Sequence, residues 1–217
     1  MQATGSYVFK PGEKMKVFIA VPTFENIAPD TFKSIYGLDR CGHWTVFDFV
    51  RGYDCATARN NIARQAQREE ADFVLMVDSD IVLPSDALAN MLEWNEDVVL
   101  GWYAHREGKW DGRTSIVKYG EDLNYLWQAT ADEFNMLRDK GVNRVQVHGG
   151  GMGCALIRTS LFDKLPFPWF DWVNYDSGQV LGEDLFFCER CKAANVPIYA
   201  DLRVGCGHIF RTVQGVM

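Results

Sequence analysis

The sequence contains no apolar run long enough to cross a bilayer, and its opening residues, MQATGSYVFKPGEK, lack the apolar core of a secretory signal. A membrane-embedded protein is therefore not expected, and a cytoplasmic one is. Positive charge is scarce, with 22 Lys and Arg against 29 Asp and Glu and a formal net charge of −7. That balance offers no broad cationic field for nucleic acid, although a local basic groove stays open. The six cysteines (41, 55, 154, 188, 191 and 206) do not form a secreted disulfide framework in 217 residues, and most read as buried thiols. Repeats, low-complexity tracts and a credible linker are also missing. The chain reads as one domain over 1–217, with a first half at about 15–105 and a second at about 106–210.

Two familiar chemistries are absent as well. GWYAHREGK (101–109) has the wrong spacing for a phosphate-binding P-loop and no Ser or Thr after its lysine. HGGG (148–151) has the look of an esterase oxyanion loop, but no GxSxG nucleophile elbow accompanies it. The glycines from 149 to 153, Gly150 and Gly151 among them, then read either as a tight turn with close backbone approach or as an acceptor-site loop.

What the chain does have is hydrophobic mass, 47% of residues, with 13% aromatic, in an alternating order. Strand expectations fall at 15–24, 44–52, 73–77 and 97–105, separated by helices at 28–38, 56–70 and 85–94. Asp30 is the expected cap of the first helix. The second half is less regular: possible strands at 110–119 and 124–129, a helix or insertion at 130–141, and a strand, glycine turn, strand and helix start over 144–162. A helix at 182–195, with Leu185, Phe186 and Cys188 facing the core, precedes a closing strand at 196–209. Strands alternating with helices argue for an α/β sheet whose ligands bind beyond the carboxyl ends of the strands.

One such end reads VLMVDSDIVLP (74–84), where Asp78 and Asp80 follow a strand apolar enough to be buried on both faces. Paired carboxylates there can hold a hard divalent cation with open positions for phosphate oxygens. A bare DxD also serves simply to cap a turn. Asp184 and Glu183, in GED at the start of the 182–195 helix, suit either general-base chemistry or the helix dipole, and they follow an aromatic segment, LPFPWFDW. His208 reads as a metal ligand or as a structural histidine. Trp102, His105 and Arg106, past the fourth strand, are candidates for a ligand pocket, with Trp102 equally suited to the core.

These pieces, in this order from about Lys16 to Ile209, resemble the GT-A-fold glycosyltransferases, of the inverting, family-two-like group, which move sugars from nucleotide-sugar donors. The resemblance implies an α/β GT-A (Rossmann-like) three-layer sandwich with a central, mostly parallel sheet. It implies that VPTFE, with Pro22, Thr23 and Glu25, holds the nucleoside, and that Arg59 and Asn60 are the polar residues of the nucleotide-site helix. In VDSD, Asp80 would bind the metal, Mn²⁺ or Mg²⁺, and Asp78 would contact ribose or a metal-bound water, with Ser79 beside them. Asp184 would be the inverting base and His208 the last metal ligand. UDP is the first choice of nucleotide.

The chain departs from the processive polysaccharide synthases of this group in lacking their QxxRW motif. The acceptor stays open among saccharide, protein, lipid head group, small molecule and modified nucleic-acid base, and so does homo-oligomerisation. Two rival readings also stand. A nucleotidyltransferase would use strand-end carboxylates but wants a glycine-rich basic loop, which VPTFEN is not. A zinc-stabilised binding module would use Cys188, Cys191, Cys206 and His208, although the CxH spacing of the second pair is unusual.

Overall fold

The computed structural model describes residues 14–24, 26–52, 54–105, 111–119 and 126–210. Glu25 and Arg106 lie outside the described residues. The first half comprises β1 (Lys16–Thr23), α1 (Pro29–Tyr36), β2 (Trp44–Arg51), α2 (Cys55–Arg68), β3 (Phe73–Val77), β4 (Ile81–Val82), α3 (Ala87–Glu93) and β5 (Val98–Trp102). There follow β6 (Arg113–Tyr119), β7 (Leu126–Thr130), α4 (Ala131–Asp139), β8 (Arg144–Val147), β9 (Gly149–Gly150), β10 (Cys154–Arg158) and α5 (Leu161–Lys164). The chain closes with β11 (Val173–Asn174), β12 (Val180–Leu181), α6 (Glu183–Ala193), β13 (Ile198–Gly205) and β14 (Gly207–His208).

A seven-stranded sheet in the order β2-β1-β3-β10-β5-β13-β8 forms the centre. β10 runs antiparallel between β3 and β5, and β8 runs antiparallel at one edge, while the other five strands share a direction. The sheet is therefore mostly parallel, as expected. Its layers follow from the period of two along a strand. On β1 and β3, Phe18, Ala20, Val74 and Met76 join one core cluster, with Ile62, Ala63 and Ala66 of α2 and Phe187 of α6. Their alternate neighbours Val17, Ile19, Leu75 and Val77 join a second cluster, with Ile35 of α1 and Leu88 and Met91 of α3. Helices thus cover both faces, giving the three layers of a GT-A fold. Small side chains let α2 sit close, and at Gly52 a Cβ would lie 2.5 Å from the Ala58 amide nitrogen.

Several local expectations are corrected. Asp30 does not cap α1: the N-cap is Ala28 and Pro29 takes the first helical position, where its missing N–H costs nothing, leaving Asp30 in the first turn. On α6 the buried side chains are Glu183, Phe187, Cys188 and Cys191, so the core-facing stripe is offset from Leu185 and Phe186. The zinc arrangement also fails. Cys188 and Cys191 pack into the first core cluster, and Cys206 packs against the second, on the other face of the sheet. Among the described residues, no group of three or more His, Cys, Asp or Glu is placed to hold a metal ion, and no helix is long and apolar enough to cross a membrane.

Candidate functional site

β3 delivers its carboxylates to the sheet's ligand-binding end because all five of its residues are buried and its flanking turn is tied on several sides. The Asp78 amide donates to Gly153 O (3.0 Å), the Ala28 amide to Ser79 O (2.8 Å) and the Ile209 amide to Asp80 O (2.9 Å). β4 then pairs antiparallel with β14, His208 opposite Ile81. That pairing brings His208 Nε2 to 3.7 Å from Asp80 Oδ2. On its other side the ring donates from Nδ1 to the Ala104 carbonyl, 2.8 Å away, since a carbonyl can only accept. The Nδ1 contact to a carbonyl leaves Nε2 as the ring nitrogen facing Asp80, the arrangement in which a histidine's other nitrogen is fixed by a backbone carbonyl.

A cavity of about 820 Å³ opens there, lined by Pro22, Asp78, Ser79, Asp80, His105, Gly150, Gly151, Glu183, Asp184 and His208 from the sequence candidates. Thr23 lines a small recess of about 130 Å³ that shares Pro22, Phe24 and Cys55 with this cavity. Gly150 and Gly151 serve close approach as well as lining: a Cβ on Gly151 would fall 2.1 Å from the Tyr103 hydroxyl. A slightly larger cavity, about 930 Å³, is lined by Lys118, His148, Lys192 and Tyr199, away from the paired carboxylates.

Arg59 has a different place from the one expected. It is 2% exposed, under the cavity rather than in it, and its guanidinium ties three carboxylates together. Nη2 meets Asp78 Oδ1 at 2.9 Å, and Nη1 meets Asp184 Oδ1 at 2.7 Å and also Glu183 Oε1. A planar, permanently charged fork suits such a hub. The cluster has three acids and one fixed cation, so it cannot ionise fully without cost. Burial first, then Glu183 and Asp78, push the Asp184 carboxyl up to about 7 against the opposing pull of Arg59. Asp184 is also 28% exposed at its side chain, whereas Glu183 is buried. Burial and the acids Asp78 and Asp184 likewise raise the Tyr103 phenol, whose oxygen accepts the Gly153 amide at 3.1 Å.

Asn60 and Trp102 are corrected too. The Asn60 amide donates to Ala56 O and Phe170 O and accepts from the Trp169 and Phe170 amides, so it anchors the aromatic segment rather than a nucleotide. Trp102 packs edge-on to Phe134, 5.6 Å between centroids, and its indole donates to Leu202 O, which makes it core. Sequence reading missed Tyr103, Ser115, Gln128 and Leu185 as lining residues, along with Cys55 and Phe24. For Trp172 the signal was present in the aromatic run before GED.

Residues 29–166, more than half of the chain, match the family model described as "Glycosyl transferase family 2". No curated protein sequence matches. Among solved structures, A197 from STIV is 18% identical at a TM-score of 0.59, over 91% of this chain and 87% of that one. GalNAc-T7, solved with UDP, GalNAc and Mn²⁺, is 11% identical at a TM-score of 0.63, over 92% of this chain and 45% of its own. S. aureus TarS 1-349, in complex with UDP-GlcNAc, is 16% identical at 0.53, over 92% and 60%. The chain thus spans about half the length of the latter two. It belongs to glycosyl transferase family 2 and is a glycosyltransferase with the GT-A fold.

Proposed function

We propose that this enzyme transfers a sugar from a UDP-sugar to an acceptor hydroxyl with inversion, assisted by a divalent cation, Mn²⁺ or Mg²⁺. The observation that carries the reading is the meeting in one cavity of Asp80 and His208 with a separate carboxylate, Asp184, whose pKa is raised into the range of a working base. UDP is supported by its presence, or that of UDP-GlcNAc, in two of the similar structures.

The donor set fits a cation: Asp80 supplies a hard carboxylate oxygen and His208 an imidazole nitrogen, 3.7 Å apart on one wall of the cavity. Asp80 and His208 would hold the ion; Asp78, tied to Arg59, would position its neighbours and meet the ribose. When bound, the cation would offset the charge of the leaving diphosphate. Asp184 accepts the acceptor's hydroxyl proton as that oxygen bonds to the anomeric carbon. The bond from the same carbon to the diphosphate breaks, and its electron pair leaves with the phosphate. Both Glu183 and Asp184 pair with Arg59, but only Asp184 has an exposed part of its side chain, so one carboxylate is open to the acceptor, which favours single displacement, hence inversion. Pro22, Thr23 and Phe24 border the recess suited to the nucleoside. Calorimetry with UDP tests the reading: Mn²⁺ should tighten binding to the parent, Asp80→Ala should lose that effect, and His208→Ala should keep part of it. A metal effect unchanged in Asp80→Ala would remove the DSD turn from the site.

A further inference from the structure

The wall of the cavity that carries Asp184 also carries Trp172, Gly182 and Leu185. Trp172 is 46% exposed and stands at the start of the β11–β12 hairpin, in which Val173 pairs with Leu181 and Asn174 with Val180. The return strand leads directly through Gly182 into Glu183 and Asp184, so the hairpin places the indole beside the proposed base. A Cβ on Gly182 would lie 3.6 Å from the Trp172 ring. The segment before it is fixed by Asn60, which holds the Trp169 and Phe170 amides and the Phe170 carbonyl. An exposed aromatic face lining a cavity that also holds carboxylates, on a chain segment anchored this firmly, is a preformed surface for a flat ligand.

Two further observations narrow the ligand. His105 lines the same cavity, and an imidazole can meet a hydroxyl as donor or acceptor. The described lining includes four carboxylates, Asp78, Asp80, Glu183 and Asp184, and no Lys or Arg, while the hairpin region adds Asp171 and Asp176. A nucleic-acid base also stacks on aromatic rings, but its phosphates need cations, and the charged groups among the described residues of this wall are carboxylates.

We infer that the acceptor is a neutral saccharide whose ring stacks on Trp172 and whose hydroxyls reach His105, with Trp172 the residue that sets acceptor affinity. The inference rests on the glycosyltransferase reading above. The full-length chain with Mn²⁺ is first titrated with UDP-glucose, UDP-galactose and UDP-GlcNAc by calorimetry. UDP release from the bound donor is then followed with methyl glycosides and neutral oligosaccharides, and separately with oligonucleotides bearing hydroxymethylated bases. A neutral saccharide should raise release above hydrolysis by water, and the oligonucleotides should not. For that saccharide, Trp172→Ala should raise KM about tenfold with kcat nearly unchanged and donor affinity intact, and Trp172→Phe should restore most of the loss. Donor binding without any saccharide acceptor, use of the oligonucleotides instead, or an unchanged KM in Trp172→Ala would overturn the inference while leaving the donor reading in place. No binding of any UDP-sugar would overturn both.

Discussion

Asp78 follows a strand whose five residues are all buried, and its carboxylate is tied to a buried arginine. Trp172, lining the same cavity, directly precedes a two-residue strand paired with another two-residue strand, beside exposed Tyr175 and Val180. One wall is an extension of the core; the other is a hairpin laid on the surface. The charges proposed to handle the diphosphate are therefore fixed by the packing that folds the protein. The proposed acceptor wall can change its side chains at little cost to stability, and a family with one donor chemistry can in this way meet many acceptors.

The comparison predicts unequal responses. The largest is at Asp80: its change to alanine should abolish metal-dependent turnover, and EDTA should do the same to the parent, both read by UDP release. Next is Arg59→Leu, which leaves three carboxylates around an apolar side chain. Breaking a buried ion-pair hub costs about 3–5 kcal/mol, so the melting temperature should fall by about 10 °C by calorimetry. A smaller and graded effect is expected from pH. The base must be ionised, and its pKa is raised to about 7, so turnover should drop about tenfold per pH unit below that point and level off above it. Flat turnover between pH 5 and 8 would mean that another group takes the proton. Smallest of all, Tyr175→Ser and Val180→Ser on the hairpin should each change stability by less than about 0.5 kcal/mol in urea unfolding.

How much of this was readable from residues alone follows the same division. The run from Phe73 to Val77 shows its burial in composition, and the alanine-rich spacing of α2 shows its inner face, because both signals are local. Asp80, His208 and Asp184 line one cavity since the order of strands and turns brings loop ends to one side of the sheet. Arg59 could not be read this way: its partner Glu183 lies 124 positions away, and a charged residue on a helix ordinarily faces solvent or ligand. Asn60 was hidden for the same reason, as its partners are backbone groups of Trp169 and Phe170. Trp102 was ambiguous because one tryptophan at a strand end fits a pocket or a core equally, and only Phe134 and Leu202 decide it.

The central claim is that Asp184 takes the acceptor's proton while the strand-end wall holds the donor, and Asp184→Asn isolates it. The substitution keeps the size and much of the hydrogen bonding but removes the basicity. Turnover should fall by about 10²- to 10⁴-fold, donor affinity should stay near that of the parent, and the parent's product should have the anomeric configuration opposite to the donor's. Parent-like turnover in Asp184→Asn, or a product with the donor's own configuration, would contradict the account.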